Sequence, residues 1–211
     1  MKTRKLFATM LAVLCVIGFS SCDKEETEPK GEQVDLYFEA DMDGKSLLLP
    51  EGKDGYESQA VAYEPTAISG CVDRQAMRLA KGLDLKKSLE VALVKGTENC
   101  MTTCEQVEEM FQVGSYPFRR LSTEGGEGTV SGVVIRYTDV NGKIWSTDFG
   151  SGDQTGSSFS IVEHKANAVD TKSKKITTAE FNCKLYDGSG SEIVLENGRI
   201  VSRSVQCGYL K

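Results

Sequence analysis

The stretch Val133-Val134-Ile135-Arg136-Tyr137-Thr138-Asp139-Val140-Asn141-Gly142-Lys143-Ile144-Trp145-Ser146-Thr147-Asp148-Phe149 decides the fold class. Asn-Gly between alternating apolar and polar residues is a strong hairpin signal. A two-residue turn at Asn141-Gly142 would set Trp145 beside Thr138 and mix polar with apolar side chains on both faces. A three-residue loop, with Gly142 in the left-handed conformation, pairs Asp139 with Lys143 instead. Val133, Ile135, Tyr137, Trp145 and Phe149 then share one face, while Arg136, Thr138, Ser146 and Asp148 share the other. A slip of one residue inverts every side chain, so burial selects the second register.

The same pattern recurs on either side. Asp43-Gly44 is a two-residue turn that pairs Met42 with Lys45 and puts Leu36, Phe38, Ala40, Leu47 and Leu49 on one face. Ala179, Phe181, Cys183 and Leu185 alternate with Glu180, Asn182 and Lys184, a half-buried strand in which Cys183 acts as a small hydrophobe. Asp187 to Gly190 turns that strand back into Glu192 to Leu195, and Asn197-Gly198 reads as a turn before Arg199 to Val205. Phe159 to Glu163 and the apolar parts of Met77–Leu83 and Leu89–Val94 add strands. One helix is expected over Thr103–Phe111, capped by Thr102 or Thr103, with Cys104, Val107 and Phe111 as its apolar stripe. Short strands separated by turns predict an all-β fold: an antiparallel β-sandwich of jelly-roll or immunoglobulin-like type, or a related barrel, with one short helix.

Three segments are expected: a signal peptide at 1–21, a flexible tether at 22–33 and a single β domain at 34–211. Lys2, Arg4 and Lys5 precede an uncharged run of 14 residues, Leu6 to Phe19, and then Ser20-Ser21-Cys22. Charge, a short apolar run and small residues make a secretory signal. The run is too short to cross a bilayer, which takes about 20 helical residues. Asp23 to Gly31 is acidic, with Pro29 and Gly31, and cannot bury a core.

Removing the three basic residues of the leader leaves 22 basic against 31 acidic side chains, a net charge of −9. That balance, with no basic run longer than pairs such as Lys174-Lys175, argues against nucleic acid and against adsorption on anionic lipid. Of seven cysteines, Cys15 leaves with the leader and Cys22 is the lipidation candidate. Among the remaining five, Cys71, Cys100 and Cys104 are the disulfide candidates, in a compartment that tolerates such bonds, and their pairing is open.

Sites of chemistry are scarce. His164 is the sole histidine and reads as an exposed residue at a strand end. Zinc would need three further ligands, and Cys100-x3-Cys104 has neither the spacing nor a second pair, so no metal or other cofactor is expected. Asp41-Met42-Asp43-Gly44 imitates a calcium loop but has Gly52 where the twelfth-position Glu belongs. Asp187 and Glu192 read as turn residues. Trp145, with Tyr137 beside it, is the candidate platform for a sugar ring, although the hairpin register sends both inward. Tyr56, Tyr63 and Tyr116 stand in loop-like sequence.

Phe19-Ser20-Ser21-Cys22 resembles the bacterial lipobox, with Phe where Leu is commoner, and Lys24-Glu25-Glu26 resembles the surface-export signal of Bacteroidetes lipoproteins. The Asp43-Gly44-Lys45 hairpin, Gly114–Phe118, the Tyr137 to Trp145 hairpin, Gly156–Ile161 and Asn197–Arg199 together resemble small Bacteroidetes surface lipoproteins with a β-sandwich domain, a group largely without assigned function. The resemblance implies acylation of Cys22, attachment to the outer membrane and display toward the cell exterior, with a periplasm-facing orientation as the alternative. The expected function is a non-catalytic binding or accessory module of the envelope, engaging a glycan, a peptide or an envelope protein. The alternative is a structural or adhesive component that assembles with itself or with envelope partners. No set of residues marks an enzyme.

Overall fold

A computed structural model describes residues 35–66, 71–97, 103–119, 131–167 and 174–205, all within one compact unit, Gly31–Lys211. The elements in chain order are β1 (Tyr37–Met42), β2 (Lys45–Pro50), β3 (Glu57–Thr66), β4 (Cys71–Lys81), β5 (Asp84–Thr97), α1 (Cys104–Met110), β6 (Gly114–Ser115), β7 (Gly132–Thr138), β8 (Ile144–Ser146), β9 (Ser158–Ala166), β10 (Lys174–Tyr186) and β11 (Glu192–Val205). The named strands form one antiparallel sheet in the order β2-β1-β11-β10-β8-β7-β5-β4-β3. β9 joins β10 beside β8, and β6 pairs with β9. The sheet curls until β3 and β4 pack on β11, giving a nearly closed, barrel- or sandwich-like shell. The expected all-β class with one short helix is what the chain adopts.

Both hairpin registers follow from burial as expected. Met42 pairs with Lys45. Tyr137 pairs with Trp145, and the Asp139 amide donates to the Lys143 carbonyl at 2.9 Å across the three-residue loop. Val133, Ile135 and Tyr137 enter a core with Phe38, Leu49, Met77, Leu89, Val91, Ile161, Phe181, Leu185 and Ile200. Phe38 and Phe159 each stack on Phe181 with ring centres 6.1 Å apart. Burial of each such side chain contributes about 1.5–3 kcal/mol.

Three local expectations are corrected. Phe149 does not share the Trp145 face: β8 ends at Ser146, and the Phe149 ring lies 5.9 Å from the Arg136 guanidinium. Ser146 and Asp148 are buried, because the Ser146 hydroxyl donates to Asp148 at 2.5 Å and Arg136 approaches the same carboxylate at 3.8 Å. Asn197-Gly198 is a bulge inside β11 and not a turn between strands. Asn197 takes the left-handed conformation (φ 52°), and the ladder to β10 shifts between Phe181 and Cys183. The Asn182 side chain accepts the Asn197 amide at 2.8 Å, and Asn197 donates to Asp41 at 2.9 Å, so the extra residue is held from both neighbouring strands.

Gly198 stands directly opposite Phe181, where an added Cβ would meet the ring at 2.5 Å. Gly198→Ala should therefore lower stability by about 1–3 kcal/mol in urea denaturation, the usual range for overpacking. Phe181→Leu in the same chain should return part of that loss; a Gly198→Ala chain as stable as the wild type would refute this packing account.

Candidate functional site

The capped helix builds one wall of a groove. Thr103 accepts the Gln106 amide at 3.3 Å, and the Gln106 side chain accepts the Thr103 amide at 2.9 Å, a complete capping box. Val107, Met110 and Phe111 face inward, while Cys104 is exposed and disulfide-bonded. Between α1 and β9 lies a groove of about 590 Å³, lined by Glu105, Glu108, Glu109, Phe111, Val113 and His164 among others.

His164 reaches this groove because β9 is bulged. Phe159 and Ile161 face the core, so plain alternation would send Glu163 inward and His164 out. The ladder to β10 shifts between Thr178 and Ala179, where Glu163 and Ile161 pair, and that shift turns His164 inward. Its side chain is only 10% exposed, in contrast to the exposed strand-end residue expected from sequence, and its ring stacks on Phe111 at 5.5 Å.

A directional chain of hydrogen bonds assigns the ring's protons. The Thr177 hydroxyl donates to Ser204 Oγ at 2.8 Å, and Ser204 donates to the Lys175 carbonyl at 3.2 Å. Thr177 has spent its one proton, so at 2.7 Å it accepts from His164 Nδ1, which carries the hydrogen. His164 Nε2 is then an unprotonated acceptor, buried and without a hydrogen-bond partner, 3.6 Å from Glu108 Oε2. Glu108 itself is paired with Lys175. Burial, and next the Lys175 charge, hold the His164 pKa below its ordinary value against the opposing pull of Glu108, so the ring is neutral at neutral pH.

Thr177 and Ser204 are fully buried, so neither hydroxyl is presented to a substrate as a nucleophile. What the groove offers is a buried acceptor behind a rim of carboxylates. Glu105 is exposed, and Glu109 pairs with Lys95 at 2.8 Å. Among the described residues, no three His, Cys, Asp or Glu side chains converge as metal ligands.

The sequence candidates fall elsewhere. Tyr137 is buried. Trp145 is half-buried against the core, with Lys143 Nζ 4.2 Å from its ring centre. Tyr56 is buried, and Tyr63 lies within β3, where its hydroxyl donates to Glu90 at 2.6 Å. Burial would raise the Glu90 pKa, but Tyr63, Arg74 and Arg78 outweigh it and hold the carboxyl below its usual range. Asp43 and Gly44 form the turn with positive φ at both residues. Lys143, then Ser189 and the Ser189 and Ser191 amides, hold Asp187 far below the usual carboxylate range. Cys183 is free and buried. The β4 strand begins at Cys71, whose side chain lies outside the described residues, as do Cys100 and the lipidation candidate Cys22. No helix among the described residues is long and apolar enough to cross a membrane.

No protein-family model, curated protein or solved structure matches the chain.

The neutral histidine gives a pH dependence with a definite sign. Its folded pKa lies below the unfolded value of 6.5, so the unfolded chain takes up the proton first. Its contribution is whole above that value and is lost as pH falls below it. Urea midpoints should drop between neutral and mildly acidic pH, and His164→Gln should flatten that part of the profile while costing about 1–3 kcal/mol at neutral pH. Parallel profiles for the two chains would refute the buried neutral ring.

Proposed function

We propose that this chain is an envelope lipoprotein, acylated at Cys22 and displayed outward from the outer membrane, that serves as a non-catalytic binding module. Its ligand enters the groove between α1 and β9. The observation that carries this reading is His164 Nε2, a nine-tenths buried acceptor that no group among the described residues satisfies. Leaving such an acceptor unmet costs about 1–3 kcal/mol, which a ligand N–H recovers on binding.

The rim supports a choice among ligand classes. The exposed Glu105 favours a positively charged group, which Glu108 and Glu109 assist only by exchanging their Lys175 and Lys95 partners, and the exposed Val113 gives a short apolar contact beside it. A peptide or protein segment presenting a lysine, an arginine or a free amino terminus supplies both. A glycan would need a ring-stacking platform, and Trp145 is packed against the core with Lys143 over it. Peptide is therefore preferred to sugar.

Peptide and glycan arrays probed with the full chain in mild detergent separate these ligands. Basic peptides should bind, and reversing the rim with Glu105→Lys and Glu109→Lys should weaken them about tenfold or more, since like charges across an interface repel strongly. Trp145→Phe should leave binding unchanged. A silent peptide array, or a glycan signal that depends on Trp145, would overturn the reading. Membrane attachment is checked separately: Cys22→Ala should release the chain from the membrane fraction, and intact mass of the native chain should show acyl groups.

A further inference from the structure

The other end of β5 carries a surface of opposite character. Leu83, in the β4–β5 turn, is 100% exposed, and Leu85 follows it at 44%. Val140, on the β7–β8 loop, and Ile144, the first residue of β8, are 61% and 47% exposed. Among the described residues, four of the eight exposed large apolar side chains thus stand in or beside two neighbouring turns, which is concentration and not scatter. The loops are joined: the Lys87 amide donates to the Asp139 carbonyl at 3.1 Å, and the Lys86 side chain runs beside Gly142.

Lysines rim these tips. Lys81, Lys86 and Lys87 are exposed, and Lys143 is half-exposed. Lys81 lies over the Tyr56 ring at 4.9 Å and Lys143 over Trp145, so both stems are steadied by aromatic faces. Acids stand among these lysines as well. Asp84 accepts the Lys86 amide at 3.0 Å, Asp139 accepts the Asn141 and Lys143 amides at 2.8 and 3.0 Å, and Asp187 pairs with Lys143.

The N-terminal leash leaves the domain close by. Glu51 donates its amide to the Leu36 carbonyl at 2.8 Å, Gly52 to Tyr56 at 2.9 Å, and the Tyr56 hydroxyl to the Lys87 carbonyl at 2.9 Å. From Cys22 to Asp35 the chain can span at most about 45 Å, ample for the tip to meet the surface to which Cys22 is fastened.

We propose that the Leu83–Val140 tip docks on the bilayer that holds the chain's lipid, with Leu83, Leu85, Val140 and Ile144 entering the headgroup layer and Lys81, Lys86 and Lys87 meeting lipid phosphates. This rests on the reading that Cys22 is acylated. Convex apolar tips with a lysine rim suit the soft, anionic surface of a bilayer, into which side chains can sink while ammonium groups stay at phosphate level. Net charge per chain argues against adsorption by charge alone; the exposed apolar side chains supply the attachment, and Lys81, Lys86 and Lys87 are placed to meet phosphates beside them.

Trp145, the sole tryptophan, adjoins Ile144 and reports on the tip. The full acylated chain is reconstituted into phosphatidylglycerol–phosphatidylethanolamine vesicles with bromines high on the acyl chains. Bromination should quench Trp145, and Leu83→Asp with Val140→Asp should abolish the quenching while flotation and intact mass stay unchanged. Emission indifferent to bromine, in a chain that floats and carries lipid, overturns the docking and leaves the groove reading intact. A chain without lipid overturns the Cys22 reading instead, and the same vesicles then test the tip unaided: quenching sustains it, no quenching overturns it. Tip substitutions that remove a cross-linked protein partner but leave quenching unchanged assign the surface to that partner and overturn the proposal.

Discussion

Closure of the sheet at β3 and β11 is the constraint from which the rest of the shell follows. β1 covers the edge of β11 only as far as Val201, so residues 202–205 would present free backbone on that side. Among the described residues, no strand ladder fills the gap. The Arg203 amide donates to Ser58 Oγ at 2.8 Å, Ser58 Oγ meets Ser202 Oγ at 2.8 Å, and the Arg203 guanidinium bonds to the Ser58 carbonyl at 3.1 Å. Glu51 then binds both the Arg203 guanidinium and the Ser58 amide. An open edge is a template for pairing with another chain, and here one buried serine with an ion pair closes it by side chains. Those groups are buried or half-buried, so removing either half of the seam would strand the other.

Curvature of this degree needs irregular strands, and the irregularities decide which residues act. The β11 bulge at Asn197 bends the central strand where Gly198 lets the Phe181 ring approach. The β9 bulge inverts alternation at one point and brings His164 from the outer face to the end of the interior, against Phe111. The candidate site therefore depends on a device for bending the sheet, and of the hydroxyls behind it, Thr177 lies on β10 and Ser204 on β11, which also carries the closure. Position and chemistry have a common cause.

This explains what could be read from the sequence. The hairpins at Asp43-Gly44 and Val140 to Gly142 were legible because turn residues and two-residue alternation agree on one register. The helix was legible from Thr103, its acids and its stripe, although Met110 takes the inward place that Cys104 was expected to share. Bulges leave no comparable mark. Asn197-Gly198 carries the dipeptide of a turn, and only pairing with strands on both sides shows it to be a bulge. Glu163-His164 shows nothing to tell a reader counting by twos that the parity changes. Composition is silent in a similar way, since a formal net charge of −6 does not show that four lysines and three acids gather near two turns.

The two proposed surfaces lie toward opposite ends of β5. Lys86 and Lys87 stand near its first residues, and Lys95, paired with Glu109 of α1, stands near its last. Eight residues of extended chain separate Lys87 from Lys95, about 26 Å at the usual rise. In the proposed docking, with β5 upright on the Leu83 tip, the α1 groove would stand well above the headgroups, beyond the roughly 8 Å Debye length within which membrane charge acts strongly at physiological salt. An acidic groove placed at an anionic surface would face competition for its own cationic ligand from the lipid phosphates. On the proposed docking the groove, lifted clear, would keep its charge preference, and acylation at Cys22 would confine the domain while the tip set its orientation.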